Sequence, residues 1–174
     1  LFRSAAARLY GDAVTAAESI RDDLTTAHCT ANLGMVAFRR WRLEEAIERS
    51  RIALSIYERL GHHTRIQEMT LNLGMFTHLR GDTSRGRMLL TSTLAQSGGD
   101  WVLSTLCQET LADIDRLGGK EARAQHRLSA AAATCGTVGV PAKQALYLGM
   151  LAESLWAAGD FAAAIAALER AASV

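Results

Sequence analysis

A four-residue sequence, Asn-Leu-Gly-Met, occurs twice in this chain and limits how the chain can fold. The first copy occupies residues 32–35 and the second residues 72–75, so the copies start 40 positions apart, from 32 to 72. Twelve positions beyond the glycine of each copy lies a small residue, Ala46 in one case and Gly86 in the other. A self-similar segment of this length is typical of proteins built from stacked structural repeats.

Small residues continue at the same spacing through most of the chain. Ala46, Gly86, Ala124 and Ala164 follow one another at intervals of 40, 38 and 40 residues. Ala16 precedes Ala46 by only 30 residues, which indicates a shorter or atypical first unit, as terminal repeats often are. A single hairpin cannot bury its apolar stripe alone, whereas stacked hairpins bury a continuous core. The spacing therefore predicts a solenoid of repeated hairpins.

Composition makes the α-helix the expected element of each hairpin. Hydrophobic residues, largely alanine and leucine, form 49% of the chain, which has a single proline. Alanine and leucine lead the scale of helix propensity, and few segments show the alternation of β-branched residues that a strand needs. In segment 43–60, apolar and small residues recur with the spacing of one buried helix face. We therefore expect an all-α solenoid of about five antiparallel helix hairpins.

Glycine-containing turns divide the chain into ten predicted helices. We expect helices at about 1–9, 12–21, 24–39, 43–60, 64–79, 82–96, 101–117, 120–134, 141–158 and 161–172. They give a single repeat domain over 1–174, with an atypical first hairpin at 1–23 and repeats at 24–61, 64–98, 101–135 and 141–174. The chain starts at Leu1 and not at a methionine, so we interpret it as a fragment of a larger protein.

Charge and cysteine content argue against several classes of protein. The net charge of +1 lacks the basic excess of a nucleic-acid-binding surface, so we expect no direct contact with nucleic acid. Three cysteines without CxxC spacing do not suit a disulfide scaffold and fit reduced thiols in a cytoplasmic protein. The longest uncharged run, 128–142, is too short and too interrupted by glycine and proline to cross a membrane.

No residue pattern of a metal site or a catalytic centre stands out. The pairs at 28–29 and 62–63, His-Cys and His-His, are adjacent in sequence, and adjacent helical residues face in different directions. No set of histidine, cysteine and acidic residues has the spacing of a structural zinc site. Phosphate-loop, nucleophile-elbow and zinc-protease patterns do not occur. We expect a non-catalytic protein with no cofactor and no metal.

A basic and aromatic cluster, Arg39-Arg40-Trp41-Arg42, ends one predicted helix. Cations suit the negative end of a helix dipole, so the favoured interpretation is a solvated helix end. The alternative is a contact with a phosphate group or with a partner.

The columns of small residues resemble those of the tetratricopeptide repeat (TPR) family. The matching residues are Leu33-Gly34, Ala46 and Ala53; Leu73-Gly74, Gly81-Asp82 and Gly86; Leu151-Ala152, Gly159-Asp160-Phe161, Ala164 and Ala171; and, more weakly, Leu111-Ala112, Gly119, Ala124 and Ala131. The resemblance implies a right-handed superhelical solenoid. The common repeat has about 34 residues, and the longer period here is similar to that of large bacterial transcriptional regulators of the maltose-activator type and of kinesin-light-chain-like proteins.

The resemblance also implies which side chains face a partner. In this family the first helix of each hairpin lines the concave face, at positions three before, one after and four after the column glycine. The candidate partner-binding residues are Met35, Phe38, Met75, His78, Glu109, Asp113, Arg116, Glu153 and Trp156. The Lys and Asn residues with which some family members grip a C-terminal carboxylate are absent from these columns. Met35, Phe38 and Met75 have a second interpretation as core between repeats, because an apolar stripe at helical spacing usually packs.

Three hypotheses of function follow. The first is a protein–protein interaction domain of a bacterial transcriptional regulator, which binds an effector, a protein or peptide partner, or another domain of the same chain. The second is a structural self-association module acting through the terminal helices, since helix 161–172 lacks the polar outer face of a capping repeat. The third is a sensor that holds a small molecule or a peptide near Phe38, Met75, His78 and Trp156.

Overall fold

The computed structural model describes residues 2–174, with side-chain surroundings described from residue 5 onward. Over these residues the regular structure is helical, as the composition predicts. The helices are α1 Phe2–Ser19, α2 Asp23–Phe38, α3 Leu43–Arg59, α4 His63–Leu79, α5 Thr83–Ala95, α6 Trp101–Leu117, α7 Glu121–Thr137, α8 Pro141–Ala157 and α9 Phe161–Ala172. From α2 onward, each helix begins within one residue of its predicted start.

The predicted break at Tyr10-Gly11 is wrong. A single helix, α1, runs through both residues, so the described chain has nine helices. Its first repeat is therefore a single helix in place of the predicted hairpin. A glycine inside a helix costs about 1 kcal/mol relative to alanine. That cost is small beside the packing of α1 on α2, and it does not end the helix. Residue 1 of the predicted first helix lies outside the described residues.

Seven turns in the described part of the chain close with the same backbone hydrogen bond. The N–H of the last turn residue donates to the carbonyl five positions earlier, at N–O distances of 2.8–3.1 Å. This bond belongs to the Schellman motif, in which the residue before the donor adopts a left-handed conformation. Those left-handed residues are Arg21, Trp41, Gly61, Gly81, Gly119, Gly139 and Gly159.

Two of the seven turns place a side chain where glycine would be unstrained. Arg21 has φ 56° and Trp41 has φ 60°. A left-handed conformation costs an L-residue with a Cβ atom roughly 1–2 kcal/mol. The other five turns avoid that cost because glycine has no Cβ atom.

The chain forms two compact units, and the division falls within α5. Unit 1 ends at Leu89, and unit 2 runs from Leu90 to Val174. In unit 1, α2 packs on α1 and on α3, and α4 packs on α3. Tyr57 and Phe76 are its largest fully buried side chains. In unit 2, α7 packs between α6 and α8, and α9 packs on α8.

Small residues set how closely the helices approach within unit 1. A Cβ atom added to Gly86 on α5 would lie 2.8 Å from the Gly74 carbonyl oxygen and 2.8 Å from the Cβ atom of His78 on α4. One added to Gly34 on α2 would lie 3.3 Å from the Cβ atom of Arg49 on α3. Both glycines are therefore packing residues, and Gly34 belongs to the first copy of the repeated sequence.

Unit 2 combines an apolar core with a buried ion pair between Asp115 of α6 and Arg127 of α7. Its core cluster contains Leu128 and Cys135 of α7 and Tyr147, Leu148 and Leu151 of α8.

No described helix combines the length and the apolar character that a membrane crossing requires.

Candidate binding site on the first helices of the repeats

All nine candidate partner-binding residues lie on the helices that the repeat alignment assigns to the first position of a hairpin. Met35 and Phe38 are on α2, and Met75 and His78 are on α4. The remaining candidates are Glu109, Asp113 and Arg116 on α6 and Glu153 and Trp156 on α8.

The apolar candidates of unit 1 contact its core. Met35, Phe38 and Met75 are half-buried and pack against the cluster that contains Phe76 and Leu73. The ring of Phe38 stacks on that of Phe76, with centroids 4.7 Å apart. These contacts favour the interpretation in which the three side chains belong to the packing between repeats.

His78 lies in the contact between α4 and α5. It is 7% exposed, and its Nδ1 atom lies 3.3 Å from Oγ1 of Thr83. Gly86 faces it across the same contact, with room for no Cβ atom. The burial of His78 favours a role in packing.

Glu109 connects two helices of unit 2. Its Oε2 atom accepts a hydrogen bond of 3.0 Å from the hydroxyl of Tyr147, a side chain with no exposed surface. Burial of this hydroxyl raises the pKa of Tyr147 far above its usual value, and the nearby Glu109 carboxylate raises it further. The bond ties α6 to α8 and fixes Glu109 in place.

The other charged candidates of unit 2 meet at one cleft, which we call the α6–α8 cleft. It has a volume of about 130 Å³. Its lining residues are Ala112, Asp113 and Arg116 of α6, Ala124 and Leu128 of α7, and Met150, Glu153, Ser154 and Ala157 of α8. Sequence analysis found Asp113, Arg116 and Glu153. It missed Leu128, Met150, Ser154 and Ala157. For the first two, the signal was an apolar residue one turn from Ala124 or from Glu153.

The charges around the cleft are mostly acidic. Arg116 donates a hydrogen bond of 3.1 Å to Asp113. Glu153, the other acidic residue of the cleft lining, forms no salt bridge with a described residue. Ser154 donates to Glu121 on α7, with an O–O distance of 3.2 Å. The apolar floor and acidic rim therefore suit an apolar side chain that has a cationic group beside it.

A buried ion pair joins α6 and α7, two of the helices that line the cleft. Asp115 of α6 has no exposed surface and accepts a hydrogen bond of 2.7 Å from Nε of Arg127 on α7. Arg127 also donates to Gln108 at 3.1 Å, and Arg123 lies 3.8 Å from the same Asp115 oxygen. This network fixes α7 against α6. Sequence analysis did not single out these residues.

Trp156 does not line the cleft. Its ring is 59% exposed and meets that of Phe161 edge-on, with centroids 4.7 Å apart. The pair joins the end of α8 to the start of α9.

The described residues, 2–174, contain neither a metal-binding cluster nor a disulfide bond. No three histidine, cysteine or acidic side chains described there are placed to hold a metal ion. The three cysteines are free thiols, and burial raises the pKa of Cys107 to about 12 and raises that of Cys135. Because a thiolate is the reactive form, these two buried thiols are poor nucleophiles.

Three solved structures share this arrangement of helices. BtubC (BKLC) from P. vanneervenii is 22% identical, with a TM-score of 0.80 over 95% of this chain and 70% of its own. A kinesin light chain of Podosopora anserina with nearly identical TPR-like repeats is 16% identical, with a TM-score of 0.72 over 98% of this chain and 86% of its own. A variant of that protein gives 0.74 at 16% identity, over 98% and 85%.

No family model and no curated protein matches the sequence. At these identities the likeness to solved structures shows the fold. The chain has an all-α, TPR-like repeat solenoid fold, and the prediction of fold class is confirmed.

Proposed function

We propose that this protein is a non-catalytic interaction module that binds a protein or peptide partner at α6 and α8, the first helices of the repeats in unit 2. TPR-like repeats generally mediate protein interactions, and the fold supports that class of function. The observation that carries the proposal is the α6–α8 cleft, where Asp113, Arg116 and Glu153 meet over an apolar floor.

The cleft suits a peptide side chain better than a free small molecule. Sites for small molecules usually have volumes of about 300–1,000 Å³, whereas this cleft has about 130 Å³. An engineered apolar cavity of about 150 Å³ holds a benzene molecule, so the cleft has room for one apolar side chain. A lysine or arginine next to that side chain would pair with Glu153.

A random peptide library displayed on phage tests this proposal on the whole protein. We expect enriched peptides to carry an apolar residue beside a lysine or arginine. Glu153→Lys should weaken their binding at least tenfold, which is a change of about 1.4 kcal/mol. Ala157→Leu, which fills the cleft, should weaken it as well. Glu169→Lys, an exposed charge reversal on α9, is the matched control. An absence of enrichment, or equal affinity for the Glu153→Lys variant, would refute the proposal.

The cellular setting that we propose is a cytoplasmic bacterial transcriptional regulator. The long repeat period supports it, since such regulators carry repeats of similar length. Binding of a partner or effector would bias an attached output domain. The reading frame that encodes this segment is the test, and a frame without an output domain would contradict this setting.

Self-association is a second candidate function, because α9 exposes an apolar face. Phe161, Ile165 and Leu168 are 52%, 52% and 53% exposed. Leu128, which holds the column position of Leu168 in the preceding repeat, is 5% exposed because α8 covers it. Light scattering after size exclusion should give a dimer or larger species for the wild type and a monomer for Ile165→Glu. A wild-type monomer at high concentration would exclude this candidate.

A further inference from the structure

The turn between α2 and α3 carries an aromatic residue that the fold does not require. This segment, Arg39-Arg40-Trp41-Arg42, is called the Trp41 turn below. It closes with the same hydrogen bond as the other turns, from the N–H of Arg42 to the carbonyl of Ala37 at 3.0 Å. Gly81, Gly119 and Gly159 hold the column position of Trp41 in the later repeats. The same closure therefore forms without any side chain at this position.

Trp41 combines an unfavourable backbone with an exposed ring. Its φ is 60°, a value that is unusual for a bulky residue. Its side chain is 67% exposed, and its main aromatic neighbour is Phe38, with ring centroids 6.5 Å apart. Residues held in such sparsely populated conformations cluster at active sites and at ligand-binding sites. A large exposed indole in such a conformation suggests a binding contact.

The charges beside Trp41 indicate which partner it fits. The two acidic residues that start α3 are already engaged, since Arg42 contacts Glu45 at 3.5 Å and Arg80 contacts Glu44 at 3.2 Å. Arg40 has no salt bridge to any described residue. A cationic partner would be repelled by the guanidinium group of Arg40, whereas a carboxylate would pair with it.

We infer that the Trp41 turn is a second binding site, which docks an acidic peptide segment. An apolar side chain of the peptide packs on the indole of Trp41, and a carboxylate of the peptide pairs with Arg40. Tryptophan and arginine are the residue types most enriched at the energetic centres of interfaces. The site lies in unit 1 and does not depend on the α6–α8 cleft of unit 2.

Two fluorescein-labelled peptides test the inference by fluorescence anisotropy. Both have one central phenylalanine, flanked by glutamates in the first and by glutamines in the second, because a lysine-flanked peptide would also suit the α6–α8 cleft. We expect the glutamate peptide to bind the wild-type protein at least tenfold more tightly than the glutamine peptide at a salt concentration of roughly 0.15 M. Trp41→Gly should weaken that binding at least tenfold, and Arg40→Glu should remove the preference for the glutamate peptide.

Thermal unfolding separates binding from stability. We expect Trp41→Gly to melt at or above the wild-type temperature, because glycine relieves the backbone strain. Arg21→Gly is the matched control, because it relieves strain at another turn. It should also melt at or above the wild-type temperature and leave peptide affinity unchanged. Glu169→Lys, a charge reversal on α9 outside both sites, should likewise leave the affinity for the glutamate peptide unchanged, which separates the effect of Arg40→Glu from that of net charge.

Four outcomes would overturn the inference. They are a wild-type protein that does not bind the glutamate peptide, equal affinity for both peptides, unchanged affinity in the Trp41→Gly variant, and a clearly lower melting temperature of that variant. The last outcome would show that Trp41 is held for packing on Phe38 and not for a partner.

Discussion

Units 1 and 2 each bury one tyrosine completely, and the two hydroxyl groups have different surroundings. Tyr147 of unit 2 donates a hydrogen bond to Glu109 across two helices. The hydroxyl of Tyr57 in unit 1 has no hydrogen-bond partner among the described residues. Its ring is instead contacted edge-on by His28 and His62, at centroid distances of 6.4 and 5.8 Å.

A similar contrast between an apolar and a polar side chain occurs three positions after Gly34 of α2 and after Ala112 of α6. Ala37 holds this position on α2, and Asp115 holds it on α6. Both are buried and accept the turn-closing hydrogen bond through their carbonyl oxygens. The repeat therefore fixes backbone geometry, while each unit fills the space between helices with its own chemistry. At this position unit 1 has an apolar side chain, whereas unit 2 has a buried carboxylate that bonds to Arg127 of the next helix.

Removal of Asp115 should have the largest effect on stability. Asp115→Ala leaves Arg127, whose side chain is 17% exposed, without its carboxylate. Breaking a buried pair by removing one partner costs about 3–5 kcal/mol. Urea unfolding should show this loss. Arg123→Met is the control, because Arg123 is 57% exposed and 3.8 Å away, and its loss should cost no more than about 1 kcal/mol. If the two substitutions lowered the free energy of unfolding equally, the bond between Asp115 and Arg127 would not be a main source of stability in unit 2.

A methyl group added to α5 should destabilise unit 1. Gly86→Ala places a Cβ atom 2.8 Å from the Gly74 carbonyl oxygen and 2.9 Å from the His78 backbone nitrogen. These backbone atoms cannot move aside, and overpacking costs about 1–3 kcal/mol. Three other repeats have alanine in this column, so the effect would be specific to the contact between α4 and α5.

Gly149→Ala on α8 is the matched control for Gly86→Ala. A Cβ atom there meets nothing within 4 Å. Since alanine exceeds glycine in helix propensity by about 1 kcal/mol, this substitution should raise the melting temperature. A Gly86→Ala protein that also melted higher would show that the helix spacing in unit 1 is adjustable.

The two tyrosines give a paired test of intermediate size. Tyr147→Phe should lose about 1 kcal/mol, because it removes the hydrogen bond to Glu109. Tyr57→Phe should be neutral or stabilising, since it removes a buried hydroxyl that has no described partner. Thermal unfolding of both variants measures the difference directly. If both variants lost stability equally, the contrast between the two cores would fail.

Much of this fold could be predicted from the sequence because helix boundaries and column spacing are local or periodic features. The helix that spans Tyr10-Gly11 was missed because one glycine signals a break only when packing does not oppose it. The left-handed backbone of Trp41 was missed as well, since no glycine marks that turn.

The site could be predicted in part. Asp113, Arg116 and Glu153 were found because a position relative to the Leu-Gly column fixes the direction of a side chain. Direction alone does not determine neighbours. The bond from Tyr147 to Glu109, the stacking of Phe38 on Phe76 and the burial of Asp115 depend on residues 12 to 38 positions apart in sequence. Such pairings follow from three-dimensional packing and have no signature in a single sequence.

Alkaline pH should lower the stability of the folded chain through its buried thiols and tyrosines. Burial raises the pKa of the Cys107 thiol from about 9 to about 12, so the unfolded chain releases this proton at lower pH than the folded chain does. The folded state then binds more protons between these two values, and its stability falls as pH rises from 9 towards 12. Tyr147, Cys135 and Tyr57 shift in the same direction through burial.

Urea midpoints measured at pH 7, 9 and 10 would test this account of Cys107. Cys107→Ala should lower the midpoint at pH 7, because it leaves a small cavity in the core, but should weaken the decline at alkaline pH. Cys29→Ala, which removes a half-buried thiol from unit 1, controls for the loss of a cysteine. An unchanged slope in the Cys107→Ala variant would mean that the buried tyrosines, and not this thiol, govern alkaline unfolding.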